Sequence, residues 1–241
     1  MTEQLAGRAA APLPRGFPRR FPVRDDGRRP VRYRLVAGGL RVGFRAVYGR
    51  LLRFEGTEHI PAGGPLLIAC NHLSNLDPLI IGAFTPGANH AMAKRELFIN
   101  PLVAWIWAGC NTFPVDRGTA DRRAMRTALE ILQRGGRLIL WVEGTRAGSP
   151  GMKRAEAGVG FLLRRVPVPV LPVAVWGTEA SLLKGRLLPR RVPLTVRFGP
   201  VFAVEPDLLR GHDNQLVADR VGERLAALLP PPYRGVYGSA V

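Results

Sequence analysis

Leu66-Leu67-Ile68-Ala69-Cys70-Asn71-His72-Leu73-Ser74-Asn75-Leu76-Asp77-Pro78 is the stretch whose reading decides the fold. Its five leading apolar residues read as a buried strand. The strand stops where a histidine and an aspartate begin, five positions apart. On a continuous helix that spacing would turn the two side chains about 140° away from each other, so they meet only if the segment is a turn. Asp77-Pro78 predicts one, because a residue before proline is pushed out of the helical region. Asp77 is expected as an N-cap and Pro78 as the first helical residue. Folded back onto the imidazole, the carboxylate would hold a base in orientation, with no neighbouring serine or cysteine needed as nucleophile. Taken alone, such a spacing arises often by chance and reads first as a loop that caps a helix.

Strands and helices alternate outward from this point. Downstream, Pro78 to about Phe84 reads as a helix, Pro101 to Gly109 as a short apolar one, and Thr119 to Arg134 as an amphipathic one stopped by Gly135-Gly136. Arg137 to Val142 reads as a strand, Ala155 to Arg165 as a helix, Val168 to Trp176 and Val192 to Phe198 as strands, and Asp213 to Leu229 as a closing helix. The alternation predicts an α/β fold, a mixed and largely parallel sheet flanked by helices. Trp105, Ile106 and Trp107 are expected in the core, with the lining of an apolar channel as the other reading.

Upstream, residues 1–30 are rich in Pro, Gly and Arg without a hydrophobic period and are expected to be a disordered basic tail. Residues 31–54 read as an amphipathic helix. Val36, Leu40, Phe44, Val47 and Leu51 share a face, with Arg34, Arg41 and Arg45 opposite. Six arginines and no acid lie between Val31 and Phe54, a pattern that fits a membrane interface and a helix docked on the core about equally.

The 241 residues suit one domain with a sizeable core. The net charge of +17 comes from 35 basic and 18 acidic residues, and only Lys94, Lys153 and Lys184 among the basic ones are lysine. Such a surface favours anionic partners: nucleic acid, anionic lipid or phosphorylated substrates. Cys70 and Cys110 form no disulfide framework, and the four histidines have no metal-ligand spacing. No apolar run reaches the ~18 residues that span a bilayer, and no signal-peptide core is present. A reduced location facing the cytosol follows as the default.

The His72–Asp77 pair is followed by Phe113-Pro114-Val115-Asp116-Arg117-Gly118, then Glu143-Gly144-Thr145-Arg146, then Val168-Pro169-Val170-Leu171-Pro172-Val173. These four blocks, in this order across residues 55 to 200, resemble the glycerophospholipid acyltransferase family, which includes the lysophosphatidic acid acyltransferases. The resemblance implies an acyltransferase domain over 55–232, with 233–241 left as a C-terminal tail. It implies transfer of a fatty acyl group from acyl-CoA or acyl carrier protein to the free hydroxyl of a lysophospholipid, with 1-acylglycerol 3-phosphate giving phosphatidic acid as the leading case. His72 would be the general base and Asp77 its orienting partner. Arg117, Glu143, Gly144, Thr145 and Arg146 would bind the acceptor, the arginines gripping its phosphate, Gly144 admitting a close backbone approach, and Glu143 either contacting the acceptor or holding one of the arginines in position. Asn71, Lys153, Arg154 and Pro172 are secondary candidates, Pro172 as a structural residue shaping the groove.

The implied partners are an anionic membrane surface, the lysophospholipid and the thioester donor, with no nucleic acid and no metal or redox cofactor. The implied location is peripheral, on the cytoplasmic face of a membrane. Where relatives carry a basic residue shortly before a glycine, this chain has Glu156 and Ala157 before Gly158. That departure leaves other acceptors in play: another lysophospholipid, glycerol 3-phosphate or a glycolipid. A non-catalytic basic protein binding membrane or nucleic acid is the reading from charge alone.

Overall fold

The computed structural model describes residues 13–14, 17, 28–116, 121–147, 151–182 and 188–238. In chain order the elements are α1 (Val31–Tyr48), β1 (Leu52–Glu55), β2 (Leu66–Cys70), α2 (Leu76–Phe84), β3 (Asn89–Lys94), α3 (Pro101–Gly109), β4 (Thr112–Val115) and α4 (Arg122–Gln133). After them come β5 (Arg137–Trp141), α5 (Ala157–Arg165), β6 (Val170–Trp176), α6 (Thr178–Ser181), β7 (Leu194–Phe198), α7 (Pro206–Arg210) and α8 (Asn214–Ala226).

The strands form one seven-stranded sheet in the order β1-β7-β6-β2-β5-β3-β4. Every pairing is parallel except β6 with β7, which is antiparallel. This is the mixed, largely parallel sheet that the alternation predicts. β2 lies at its centre and is wholly buried. Because side chains alternate along a strand, Leu67 and Ala69 join the core beneath α4, α5 and α8, while Leu66, Ile68 and Cys70 join a second core beneath α1 and α2. The first core depends on a close crossing of α5 and α8. A Cβ on Gly160 would stand 1.9 Å from the Asn214 carbonyl oxygen, so only glycine fits there.

α1 is shorter than the expected 31–54 helix. Gly49, at a φ of 51°, ends it, and a 3₁₀ turn leads into β1, which pairs with β7. The apolar stripe expected to face either core or membrane faces the core: Phe44 is buried, and Leu40, Val47 and Leu51 pack beside it. Arg41 is no solvated side chain either. Its Nε donates to the Ala83 carbonyl at 2.8 Å, and Arg29 donates to Gly87 (2.9 Å) and Ala83 (3.1 Å). Two cations thus cap the carbonyl end of α2, where the helix dipole favours positive charge.

The outward face of α1 carries Val31, Leu35 and Val42, each about 70% exposed, between Arg34 and Arg45. α3 lies beside it, joined by the Arg32 guanidinium, which stacks 3.6 Å from the Trp105 ring centroid and donates to the Trp105 carbonyl at 2.8 Å. Trp105 is 54% exposed and Leu102 is 66% exposed, so the expectation of core packing fails for Trp105. α3 has no charged residue, yet only Ala104 within it is buried.

Residues 233–238 of the expected C-terminal tail are packed, and 239–241 lie outside the described residues. Tyr237 is buried, and its hydroxyl accepts from the Ala155 amide at 2.9 Å. Most of residues 1–30 lies outside the described residues.

Candidate active site

Parallel strands bring their carboxyl ends to one edge of a sheet, where α/β proteins place ligand sites. Here the ends of β2 and β5 bring the Asn71–Pro78 loop against Glu143–Ala147.

The loop after β2 is held in three ways. The Asn71 side chain exchanges two 2.8 Å hydrogen bonds with the backbone of Val175, so it extends the β2–β6 ladder by one side chain. The His72 amide donates to Glu143 Oε1 at 2.8 Å, and its carbonyl accepts from the Ala147 amide at 2.9 Å. Asp77 gathers the remainder: its Oδ2 accepts from His72 Nδ1 (2.9 Å), the Leu73 amide (2.7 Å) and the Ser74 amide (2.7 Å), and its Oδ1 from the Thr178 hydroxyl (2.6 Å).

His72 and Asp77 therefore meet, as the turn requires, but not through an N-cap. The helix begins at Leu76, and Asp77 sits in its first turn with its carboxylate folded backward onto the loop. The first four helical amides have no intrahelical partner, so Pro78 costs α2 nothing at this position.

With Asp77 accepting at Nδ1, the imidazole keeps that proton and presents the lone pair of Nε2. Nε2 makes no hydrogen bond among the described residues. The pair is enclosed: Asp77 is fully buried and His72 is 2% exposed, its ring 5.4 Å between centroids from Trp141. Cys70 offers no competing nucleophile. Burial, and then the charge of Asp77, raise its thiol pKa, so the thiolate is suppressed.

Glu143 departs from the expected contact with acceptor. It is buried, and both its oxygens are taken by backbone amides, Oε1 by His72 and Oε2 by Lys153 at 2.8 Å. Burial pushes its carboxyl above the ordinary value, while those two amides pull the other way. Glu143 braces the base loop against the loop that follows β5. Gly144 (φ of 66°), Thr145 and Arg146 lie exposed on that second loop. Lys153 closes it, its Nζ donating to the Arg146 carbonyl at 2.8 Å and to Thr145 Oγ1 at 3.3 Å.

Arg154 turns away and forks onto Asp219 of α8 at 2.5 Å, so it is not at the site. Pro172 is a core residue of β6. It lies between the Val170–Phe202 bridge and the start of the β6–β7 ladder at Val173, and its carbonyl accepts from Gly199 at 2.9 Å. Arg117 lies outside the described residues; Asp116, just before it, is paired with the buried Arg95 guanidinium. Sequence reasoning missed Arg95 and Thr178. Arg95 follows a strand not recognised as one, and Thr178 reaches the site from 101 residues away.

A histidine oriented by a buried carboxylate thus lies at the carboxyl edge of a mixed sheet, with an arginine-bearing loop beside it. The chain belongs to the Acyltransferase family, whose model matches residues 51–176. Among curated relatives, it is 26% identical over 171 residues to a 1-acyl-sn-glycerol-3-phosphate acyltransferase of Limnanthes alba, covering 70% of this chain and 59% of that protein. It is 28% identical over 151 residues to the enzyme of that name from Bacillus subtilis (strain 168), covering 62% and 73%. Against the alpha form from Bos taurus the figures are 27% over 193 residues, covering 73% and 61%. The chain thus spans less than two thirds of the plant and cattle proteins. The crystal structure of a 1-acyl-sn-glycerophosphate (LPA) acyltransferase from Thermotoga maritima shares the fold, with a TM-score of 0.63 and 24% identity over 79% of this chain and 78% of that one.

Proposed function

We propose that the protein moves a fatty acyl group from an acyl thioester, acyl-CoA or acyl carrier protein, to the free hydroxyl of 1-acylglycerol 3-phosphate. The observation that carries this reading is the 2.9 Å pairing of His72 Nδ1 with a fully buried Asp77. The acceptor hydroxyl gives its proton to His72 Nε2 as its oxygen attacks the thioester carbonyl. Collapse of the tetrahedral intermediate breaks the C–S bond, and the imidazolium returns the proton to the departing thiolate. Asp77 stabilises the imidazolium in between. Neither an acyl-enzyme nor a cofactor is needed. Arg146, and Arg117 with it, would take the acceptor phosphate in a two-point grip.

A second acceptor class has one observation in its favour. The Glu156 side chain lies 3.1 Å from where a Gly144 Cβ would stand, so a carboxylate sits against the acceptor loop. A doubly charged phosphate monoester is less welcome there than a phosphodiester or glycolipid head group. The purified protein, given labelled acyl-CoA or acyl carrier protein with a panel of acceptors, decides. Phosphatidic acid formed from 1-acylglycerol 3-phosphate is the expected product. Preference for another lysophospholipid, glycerol 3-phosphate or a glycolipid would move the assignment to that acceptor, and no transfer from either donor to any of them would end it.

We further infer that the protein works on an anionic membrane surface, through the outward faces of α1 and α3. A charge-free apolar helix left on the surface, beside arginines and an exposed tryptophan, fits an interface of acyl chains and head groups. No helix among the described residues is long and apolar enough to cross a membrane. Leu35→Asp with Trp105→Asp should weaken co-sedimentation with anionic vesicles by at least about tenfold, since each buried apolar side chain contributes about 1.5–3 kcal/mol. Unchanged binding by the folded variant would remove this surface from consideration.

A further inference from the structure

We propose that Thr178 is a positioning residue for the His72–Asp77 pair, fixing the rotation of the Asp77 carboxylate so that Oδ2 faces the imidazole. This deepens the proposed general-base reading and rests on it.

A carboxylate has a broad torsional preference about its last bond. Oδ2 of Asp77 must nonetheless point into a fan of three N–H donors, from His72, Leu73 and Ser74. Among the described residues, the sole hydrogen bond on the other oxygen comes from Thr178 Oγ1, at 2.6 Å and with neither residue exposed to solvent. A carboxylate has no proton to give, so the hydroxyl is the donor.

The fold delivers the hydroxyl by a short chain of constraints. Asn71 clasps Val175 and so sets the end of β6 beside the base loop. Gly177 then reverses the chain at a φ of 86°, where a Cβ would stand 2.2 Å from the Pro193 carbonyl oxygen. Thr178 follows at once. The rest of α6 is secured elsewhere: Ser181 Oγ lies 2.5 Å from the Tyr48 hydroxyl and donates to the Arg190 carbonyl at 2.8 Å, and Glu179 accepts from the Tyr233 hydroxyl at 2.7 Å. Loss of the Thr178 hydroxyl therefore removes one contact to Asp77 and leaves the turn in place.

The test compares Thr178→Val, which keeps the shape, with Thr178→Ser, which keeps the hydroxyl. Thr178→Val should lower kcat about tenfold, the size of one hydrogen bond to a charged group, with both KM values within about twofold. Without the hydroxyl the carboxylate can rotate Oδ2 away from the ring, which withdraws the anion that favours the imidazolium, so the acid limb of kcat/KM should move to lower pH. Thr178→Ser should restore both kcat and the limb. The charged and titratable groups around the pair (Glu143 at the end of β5, Lys153 beyond it and Cys70 of β2) are unchanged in all forms. The His72 titration, followed by NMR of the ring nitrogens, gives the same comparison without turnover. A downward shift in Thr178→Val that Thr178→Ser lacks is expected. If Thr178→Val fails to fold, Thr178→Ala takes its place in both measurements. Wild-type values in the variant that lacks the hydroxyl, or equal losses in it and in Thr178→Ser, would overturn the proposal. A wild-type protein with no acyl transfer, or an active His72→Ala, would instead overturn the general-base reading, leaving the NMR comparison to judge Thr178.

Discussion

His72→Ala is expected to lower kcat by about a thousandfold, in the middle of the range for removal of a general base, with little change in acceptor KM. Among the described residues the ring makes a single hydrogen bond, to Asp77, while the loop is held by backbone contacts that alanine preserves: the amide on Glu143 and the carbonyl on Ala147. The variant should therefore fold, and circular dichroism with a thermal melt checks that it does. Activity in the His72→Ala protein near that of the wild type would place the base elsewhere.

Asp77→Asn should be at least as damaging to turnover and more damaging to stability. Asn has one acceptor oxygen. With that oxygen in the Oδ2 place, the amide nitrogen meets the Thr178 hydroxyl, which can rotate from donor to acceptor. The neutral amide still receives Nδ1–H and the Leu73 and Ser74 amides, but without charge assistance, and it gives the imidazolium no counter-ion. A loss of about 10³–10⁴ in kcat is expected, as when the acid of a triad is neutralised. Weaker hydrogen bonds at a buried carboxylate should remove about 1–3 kcal/mol, which in a chain of this size lowers Tm by about 2–4 °C per kcal/mol. Steady-state rates beside a thermal melt separate the two effects. A folded variant with wild-type turnover would mean that His72 needs no anionic partner.

The sequence was most legible where local chemistry and tertiary structure agree. The apolar run of β2 and its polar turn declare themselves, and so does the Gly135-Gly136 stop of α4, where both amides return to carbonyls of the last turn. β3 was missed because Asn89-His90-Ala91-Met92-Ala93-Lys94 has neither a β-branched run nor strict alternation. β4 was missed because Pro114 lies within it, a residue tolerated because β4 is an edge strand. β1 was absorbed into the helix before it, since leucines at 51 and 52 fit either period. At the site, His72 and Asp77 are close in sequence and could be paired by turn geometry. Thr178 could not, because its place depends on the register of β6 and on the Gly177 reversal. The inward turn of Glu143 was equally hidden: nothing in Glu-Gly-Thr-Arg tells whether the acid faces a ligand or the amides behind it. α3 misled for the opposite reason. Its composition matches a core helix, and only the tertiary structure leaves it on the surface.

The pairing of β1 with β7 joins the two ends of the sheet's chain order. Leu52 stands opposite Leu194, and Glu55 meets Arg197 at 2.6 Å across 142 residues. During synthesis the first strand must wait, unpaired, until nearly all of the domain has left the ribosome. The clasp from Asn71 to Val175 imposes a similar delay on the Asn71–Pro78 loop. Contacts this distant in sequence slow folding, because loop closure precedes any gain from pairing. The nascent protein therefore completes this loop late, and no amino-terminal fragment that stops short of β6 can carry the Val175 and Thr178 contacts that hold the His72–Asp77 pair.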